Sequence, residues 1–232
     1  MVSVIIPTYN DSRKIKDIVK TLKQVKDILE IIIVDDGSSE EHKQIFRSIK
    51  GVKLITHKIN QGKSFAMKSG VLASEGDLTM FIDADLSNLT PSYAQALLSP
   101  VKEKKYDMTI SLRGGGGSEQ IVKKLHLYFA QALSGERVLH KFWITNNMDI
   151  FHSKGYCIES EINKRFLGKL RVAFVDLPNL KHDLKVNKFG IKGLVGDFRM
   201  LVKVIKHIGV KEFIRQSKII SKIPVLKVSS TK

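Results

Sequence analysis

Three apolar runs, each ending in a polar cluster, constrain this chain more than any other feature. VSVIIP (2–7) leads into Pro7-Thr8-Tyr9-Asn10, EIIIVDDGSS (30–39) ends on Asp35-Asp36-Gly37-Ser38, and LTMFIDAD (78–85) ends on Asp83-Ala84-Asp85. Runs without polar alternation are strands buried on both faces. Between them lie stretches of helical spacing: SRKIKDIVKTLKQV (12–25), with Ile15, Ile18, Val19, Leu22 and Val25 in phase, then EEHKQIFRSI (40–49) and SFAMKSGVLAS (64–74). VKLITHK (52–58) reads as a further strand. The alternation predicts an α/β fold with a mostly parallel sheet flanked by helices. Right-handed crossovers put the strand C-termini along one edge, where ligands of open sheets bind. All three polar clusters fall there. Taken singly, each is also ordinary turn chemistry.

The second half is less regular. YDMTISL (106–112) reads as a strand, the tetraglycine Gly114–Gly117 as a flexible loop and candidate lid, EQIVKKLHLYFAQALS (119–134) as a helix, and 135–137 as a turn. RVAFVDLP (171–178) is expected to be the last core strand. The glycines match neither the GxGxxG nor the GxxxxGK spacing of dinucleotide and P-loop sites. Cys157 is the single cysteine of 232 residues, which fits a reducing compartment. There is no basic-then-apolar leader, and no window nears the ~20 apolar residues of a membrane span. A cytoplasmic chain, soluble or resting on a membrane surface, is expected.

Charge points to a partner. The net charge is +16, and Lys181–Lys232 holds thirteen Lys and Arg against three acids. Such asymmetry implies an anionic partner for the C-terminal part: lipid headgroups, nucleic acid or phosphates. The chain divides on this reading into a catalytic domain, 1–190, and a basic amphipathic helical extension, 191–232.

Asp83 and Asp85 sharpen the functional question. Residues i and i+2 of a strand share a face, so the two carboxylates can meet one ligand. Hard divalent cations such as Mg²⁺ and Mn²⁺ take one or two carboxylates plus phosphate oxygens and waters. The alternative is a pair of solvated acids in a turn. The order PTYN, IIIVDDGSS, NQGKSFAMKSGVLASEGD (60–77), FIDADLS resembles the family 2 glycosyltransferases of GT-A fold, among them the dolichyl-phosphate-mannose synthases. The likeness is close over 2–90 and looser through SLRGG, LSGERVL (133–139), GYCIESEI (155–162) and HDLKVNKFG (182–190).

The resemblance implies a nucleotide-sugar donor, UDP- or GDP-linked, and a divalent cation. It implies that Pro7, Thr8 and Tyr9 form the nucleoside pocket, and that Asp11, where the family often has Glu, joins it. Asp35 or Asp36 would hydrogen-bond the base or ribose. Lys63 would lie near donor phosphates or sugar, with a solvated lysine as the plain alternative. Lys185 and Lys188 would neutralise diphosphate, and Arg113 in SLRGG would join the donor-binding residues. Asp83 and Asp85 form the DxD pair, one on the ribose or sugar side and one on the metal, and His182 would add a metal or phosphate contact. A hydroxyl acceptor needs a general base, for which Glu159 and Glu161 are candidates, Glu159 matching G-Y-x-x-E. A phosphate acceptor needs none, and the Thr-Glu-Asp base motif of many inverting relatives is missing here.

The tail bears on the acceptor. In 197–227 basic residues recur every three or four positions, opposite Leu201, Val204, Ile205, Ile208, Phe213, Ile214, Ile219 and Ile220. Such a helix either lies on anionic lipid or packs its stripe on the core. The expectation is sugar transfer to a membrane-associated polyprenyl-phosphate or other lipid-linked acceptor, by a chain peripheral on the cytoplasmic membrane face. The alternative is a soluble or polysaccharide hydroxyl acceptor. Nucleic-acid binding is not expected, because it leaves the acidic strand ends unexplained and needs stacking aromatics, which are 7% of the chain.

Overall fold

The computed structural model describes residues 1–113, 132–152, 158–178, 180–182 and 202–228. The chain opens with β1 (Val2–Thr8), α1 (Ile15–Leu22), β2 (Ile28–Asp35), α2 (Glu40–Arg47), β3 (Lys53–Thr56), α3 (Lys63–Ala73), β4 (Leu78–Phe81) and β5 (Leu86–Ser87). There follow α4 (Pro91–Lys102), β6 (Met108–Arg113), β7 (Arg137–His140), α5 (Lys141–Thr145), a 3₁₀ turn (Met148–His152) and α6 (Ile158–Phe166). The last elements are β8 (Val172–Leu177), β9 (Lys181–His182), α7 (Val210–Ile220) and β10 (Val225–Lys227).

Eight strands form one sheet in the order β10-β8-β6-β7-β4-β1-β2-β3. The pairs are parallel except where β7 inserts antiparallel between β4 and β6. The strands read as continuous apolar runs because successive residues feed two cores. Ile5, Ile32 and Val34 face one cluster, and Val4, Ile6, Ile31 and Ile33 face the other. α3 lies so close over β1 that a Cβ on Gly70 would enter the side chain of Ile5. The expected mostly parallel, helix-flanked sheet is present.

Two strand readings need correction. RVAFVDLP forms β8, but it is not the last strand of the sheet: β10 pairs parallel with it as the edge. β7 starts at Arg137, within the stretch read as a turn. Four residues after a buried turn carry too short an apolar pattern to signal a strand. The helix expected at 119–134 and the tetraglycine lie outside the described residues, apart from 132–134.

Residues 202–228 are part of the same body. Val204, Ile208 and Ile220 are buried in the core, Phe213 and Ile219 pack against it, and β10 completes the sheet. Most of the apolar stripe seen in the sequence is therefore spent on the protein. What α7 shows outward is Val210 and Ile214, with Lys211 and Lys218 exposed and Lys222 exposed just beyond its end.

Candidate active site

β1, β2 and β4 run parallel, with Thr8 beside Asp35 and Ile5 beside Phe81, so their C-termini open onto one edge. A pocket of about 430 Å³ lies there. Pro7, Thr8, Tyr9 and Asp11 line one side, Asp36, Asn60, Gly62 and Lys63 another, and Asp83, Ala84 and Asp85 close it. The clusters at the ends of all three strands thus contribute to one cavity.

The loops after β1 and β2 are stitched together. The Asn10 amide donates to Ser38 Oγ at 2.9 Å, and Asn10 Oδ1 accepts from the Ser39 amide at 2.8 Å. Thr8 Oγ1 donates to the carbonyl of Asp11 at 2.7 Å, and the Asp11 carboxylate pairs with Arg13. Tyr9 stands 51% exposed on the pocket wall. Gly37 is required twice over: its φ is +77°, and a Cβ would run into the backbone of Ile59 and Asn60.

The two aspartates of DDGS have different work. Asp36 is filled from within: Oδ1 takes His57 Nδ1 at 2.8 Å and the Gln61 amide at 3.0 Å, while Oδ2 takes the Gly62 amide at 2.7 Å. His57 Nε2 in turn meets Ser69 Oγ at 2.9 Å. Asp36 therefore holds the turn that starts α3. Asp35 is fully buried; its Oδ1 accepts from the Ser38 amide at 2.9 Å, and its Oδ2 has no hydrogen-bond partner.

Lys63, the first residue of α3, turns inward and keeps only part of its side chain exposed. Its Nζ lies 2.7 Å from Asp83 Oδ1 and 2.6 Å from Glu159 Oε1. Burial alone would pull this ammonium down, but Asp83 and Glu159 outweigh it and hold it above the ordinary lysine range. Glu159, 4% exposed on the first turn of α6, is thus brought beside the DxD pair. Glu161 instead pairs with His207 at 2.9 Å. A second cation lies beneath. Arg137 is fully buried, and burial draws its guanidinium below the ordinary arginine range against the pull of Glu159, Glu136 and Asp83.

The remaining expected residues are placed in part. Arg113 ends β6, and His182 pairs with Leu86 across the β5–β9 ladder, next in the chain to Asp85; the side chains of both lie outside what is described. Lys185 and Lys188 lie outside the described residues, as does Cys157. Sequence reading missed Asn10, His57, Gly135 and Arg137. Only the Asn of PTYN and the Gly-Glu-Arg of LSGERVL lay in quoted motifs. His57 carried no local signal.

A family model described as glycosyl transferase family 2 matches residues 3–167. The chain belongs to glycosyl transferase family 2. Among curated relatives of this family 2 chain is the undecaprenyl-phosphate 4-deoxy-4-formamido-L-arabinose transferase of Proteus mirabilis. It is 31% identical over 116 residues, 46% of this chain and 35% of that protein. The dolichyl-phosphate beta-glucosyltransferase of Dictyostelium discoideum is 33% identical over 98 residues, 36% and 30% of the two. The match thus spans about a third of each relative's length. An uncharacterized protein of Methanocaldococcus jannaschii is 26% identical across 85% of this chain and 83% of its own. Among solved structures, glucosyl-3-phosphoglycerate synthase from Mycobacterium tuberculosis, in complex with Mn²⁺, UDP and phosphoglyceric acid, superposes with a TM-score of 0.67. It is 22% identical, with 97% of this chain and 79% of that chain covered, a likeness that speaks for the GT-A fold.

Proposed function

We propose that this chain transfers a sugar from a nucleoside-diphosphate sugar to a polyprenyl-phosphate acceptor at a membrane surface. The observation that carries the acceptor choice is the Lys63–Glu159 pair. The carboxylate best placed to serve as general base is buried and bound to an ammonium at 2.6 Å. An oxygen engaged by a lysine is not open to a hydroxyl proton, and a phosphate acceptor, already anionic, requires no base. The names of the Proteus and Dictyostelium relatives, which carry undecaprenyl and dolichyl phosphate, support the same class.

In this reading an acceptor phosphate oxygen attacks the anomeric carbon, the bond from that carbon to the diphosphate breaks, and the nucleoside diphosphate leaves with the electron pair. Tyr9, Pro7 and Thr8 receive the nucleoside. Asp36 lines the pocket, so the hydrogen bond to base or ribose falls to it beside its hold on the turn at 60–62, while Asp35 is fully buried and outside the lining. Asp83, neutralised by Lys63, faces the ribose or sugar. Asp85 fits the cation. Mg²⁺ or Mn²⁺ is bound through one or two carboxylates and completes its shell with substrate oxygens and water. Held there, the cation would supply Lewis-acid neutralisation of the diphosphate, a task in which the resemblance also gives His182, Lys185 and Lys188 a part, with Arg113 among the donor-binding residues.

Among the described residues no helix is long and apolar enough to cross a membrane. We place the chain peripherally, on the cytoplasmic face, with the basic outer side of α7 toward anionic lipid.

The test offers UDP- and GDP-sugars with Mn²⁺ to the chain, with undecaprenyl or dolichyl phosphate in detergent, and follows label into lipid. Lipid-linked product is expected, none with Asp85→Ala, and within about tenfold of wild type with Glu159→Gln, against the 10²–10⁴ that loss of a general base costs. Transfer only to a hydroxyl acceptor, lost in Glu159→Gln, would overturn the reading.

A further inference from the structure

The β4–β7 register pairs Phe81 with Arg137. Continued two residues past the end of β4, it brings Gly135 opposite Asp83. A Cβ built on Gly135 would lie 2.5 Å from Asp83 Oδ1, 2.7 Å from Cγ and closer still to Oδ2, inside the separations that bonded neighbours aside no Cβ shows. The carboxylate thus rests flat on a bare Cα. Gly135 is not among the residues of positive φ, so its backbone accepts alanine. What the position requires is space.

Asp83 lines the pocket, so of the two partners it is the carboxylate that gives way. The turn carrying Gly135 is pinned from below: Arg137 donates to the carbonyl of Ser134 at 2.6 Å, and Ser111 and Ser134 donate to Glu136 Oε2 at 2.6 Å. The Ser111 amide also holds the Glu136 carbonyl at 2.9 Å. Ser111, Ser134, Glu136 and Arg137 are all buried, and these hydrogen bonds tie the turn to the start of β7 and to β6. On the other side Asp83 is held to Lys63 at 2.7 Å, and Lys63 to Glu159. Any side chain at 135 must therefore move the Asp83 carboxylate, and with it the lysine that joins Asp83 to Glu159.

We infer that Gly135 is a positioning residue for sugar transfer, the steric floor that sets where the Asp83 carboxylate stands. Its functional half rests on the donor-site reading given above; its steric half does not. The experiment is a thermal-stability cycle of wild type, Gly135→Ala, Asp83→Ala and the double variant, each melted with and without Mn²⁺ and UDP-glucose or GDP-mannose. Gly135→Ala is expected to melt below wild type, and the same change in the Asp83→Ala background to cost little, because the atoms it strikes are gone. Equal cost in both backgrounds overturns the inference. If Gly135→Ala fails to fold, the double variant must fold, and its failure is equally fatal.

With donor and cation, Gly135→Ala should lose most of the rise in melting temperature that the donor gives wild type, because the carboxylate that meets the donor has been displaced. Gly135→Ala binding donor as wild type does, while Asp83→Ala does not, overturns the positioning role. Asp83→Ala binding donor as well as wild type sinks the donor-site reading instead, and the cycle still decides the contact.

Discussion

At the scale of single residues, the site is organised by a lysine. Asp83 and Glu159 lie far apart in the chain, and two carboxylates brought together, one buried and one partly so, would repel; Lys63 sits between them and offsets that cost. Removing one partner of a buried pair leaves uncompensated charge, at about 3–5 kcal/mol. Lys63 keeps some exposure, so Lys63→Met is expected at the lower end, about 3 kcal/mol by chemical denaturation. A loss under about 0.5 kcal/mol, the range of exposed pairs, would show that solvent screens the cluster. The DxD carboxylates and Glu159 were legible in the sequence, each in its motif. Their joining through Lys63 was not, because 96 residues separate Lys63 from Glu159 and no local pattern records a contact of that span.

At the scale of elements, the sheet is a parallel scaffold with one reversed strand, and its far side is held by a pair at the strand starts. Arg171, just before β8, gives its amide and Nε to Asp107 Oδ2 and an Nη to Oδ1, aligning β6 with β8. The hydrogen bonds from Arg171 hold the Asp107 carboxyl below its ordinary value of 3.8. A depressed carboxylate contributes stability that is present above its unfolded value and lost as pH falls through the folded one. Asp107→Asn should therefore melt below wild type at pH 7, with the gap closing as pH falls below about 3.8. A gap independent of pH would show that the charge is idle. The strands that do the most for the site, β1, β2 and β4, were also the easiest to read, because burial on both faces makes them unbroken apolar runs. β7 and β10 were missed, being four and three residues long. A strand that short is made by its neighbours' hydrogen bonds more than by its own composition.

At the scale of the whole molecule, charge and packing of the C-terminal segment separate. Its apolar residues complete the core, so a chain cut before residue 202 would lose Val204, Ile208, Ile220 and the edge strand, and its failure on vesicles would say nothing of lipid. The informative variant keeps the core and removes only outward charge. Lys211→Gln, Lys218→Gln and Lys222→Gln together should leave the melting temperature unchanged and weaken binding to anionic vesicles by about 100-fold, at about 1 kcal/mol per near-surface lysine. Unaltered binding would exclude this face as the lipid contact.

The sequence by itself determined the sheet's centre and the edge at which the three polar clusters meet. Both follow from short-range pattern: apolar runs that must be buried, and turn residues that must follow them. It also determined the family, through motifs whose order survives in one dimension. The tertiary structure decided what each charged group does there. It assigned Asp36 to holding a turn and left Asp35 an unfilled oxygen, turned Lys63 inward between two acids, and set a bare Cα against Asp83. The physical reason is range. Hydrophobic periodicity is written in neighbouring residues, whereas the state of a carboxylate depends on which distant cation, amide or empty space the fold brings to it.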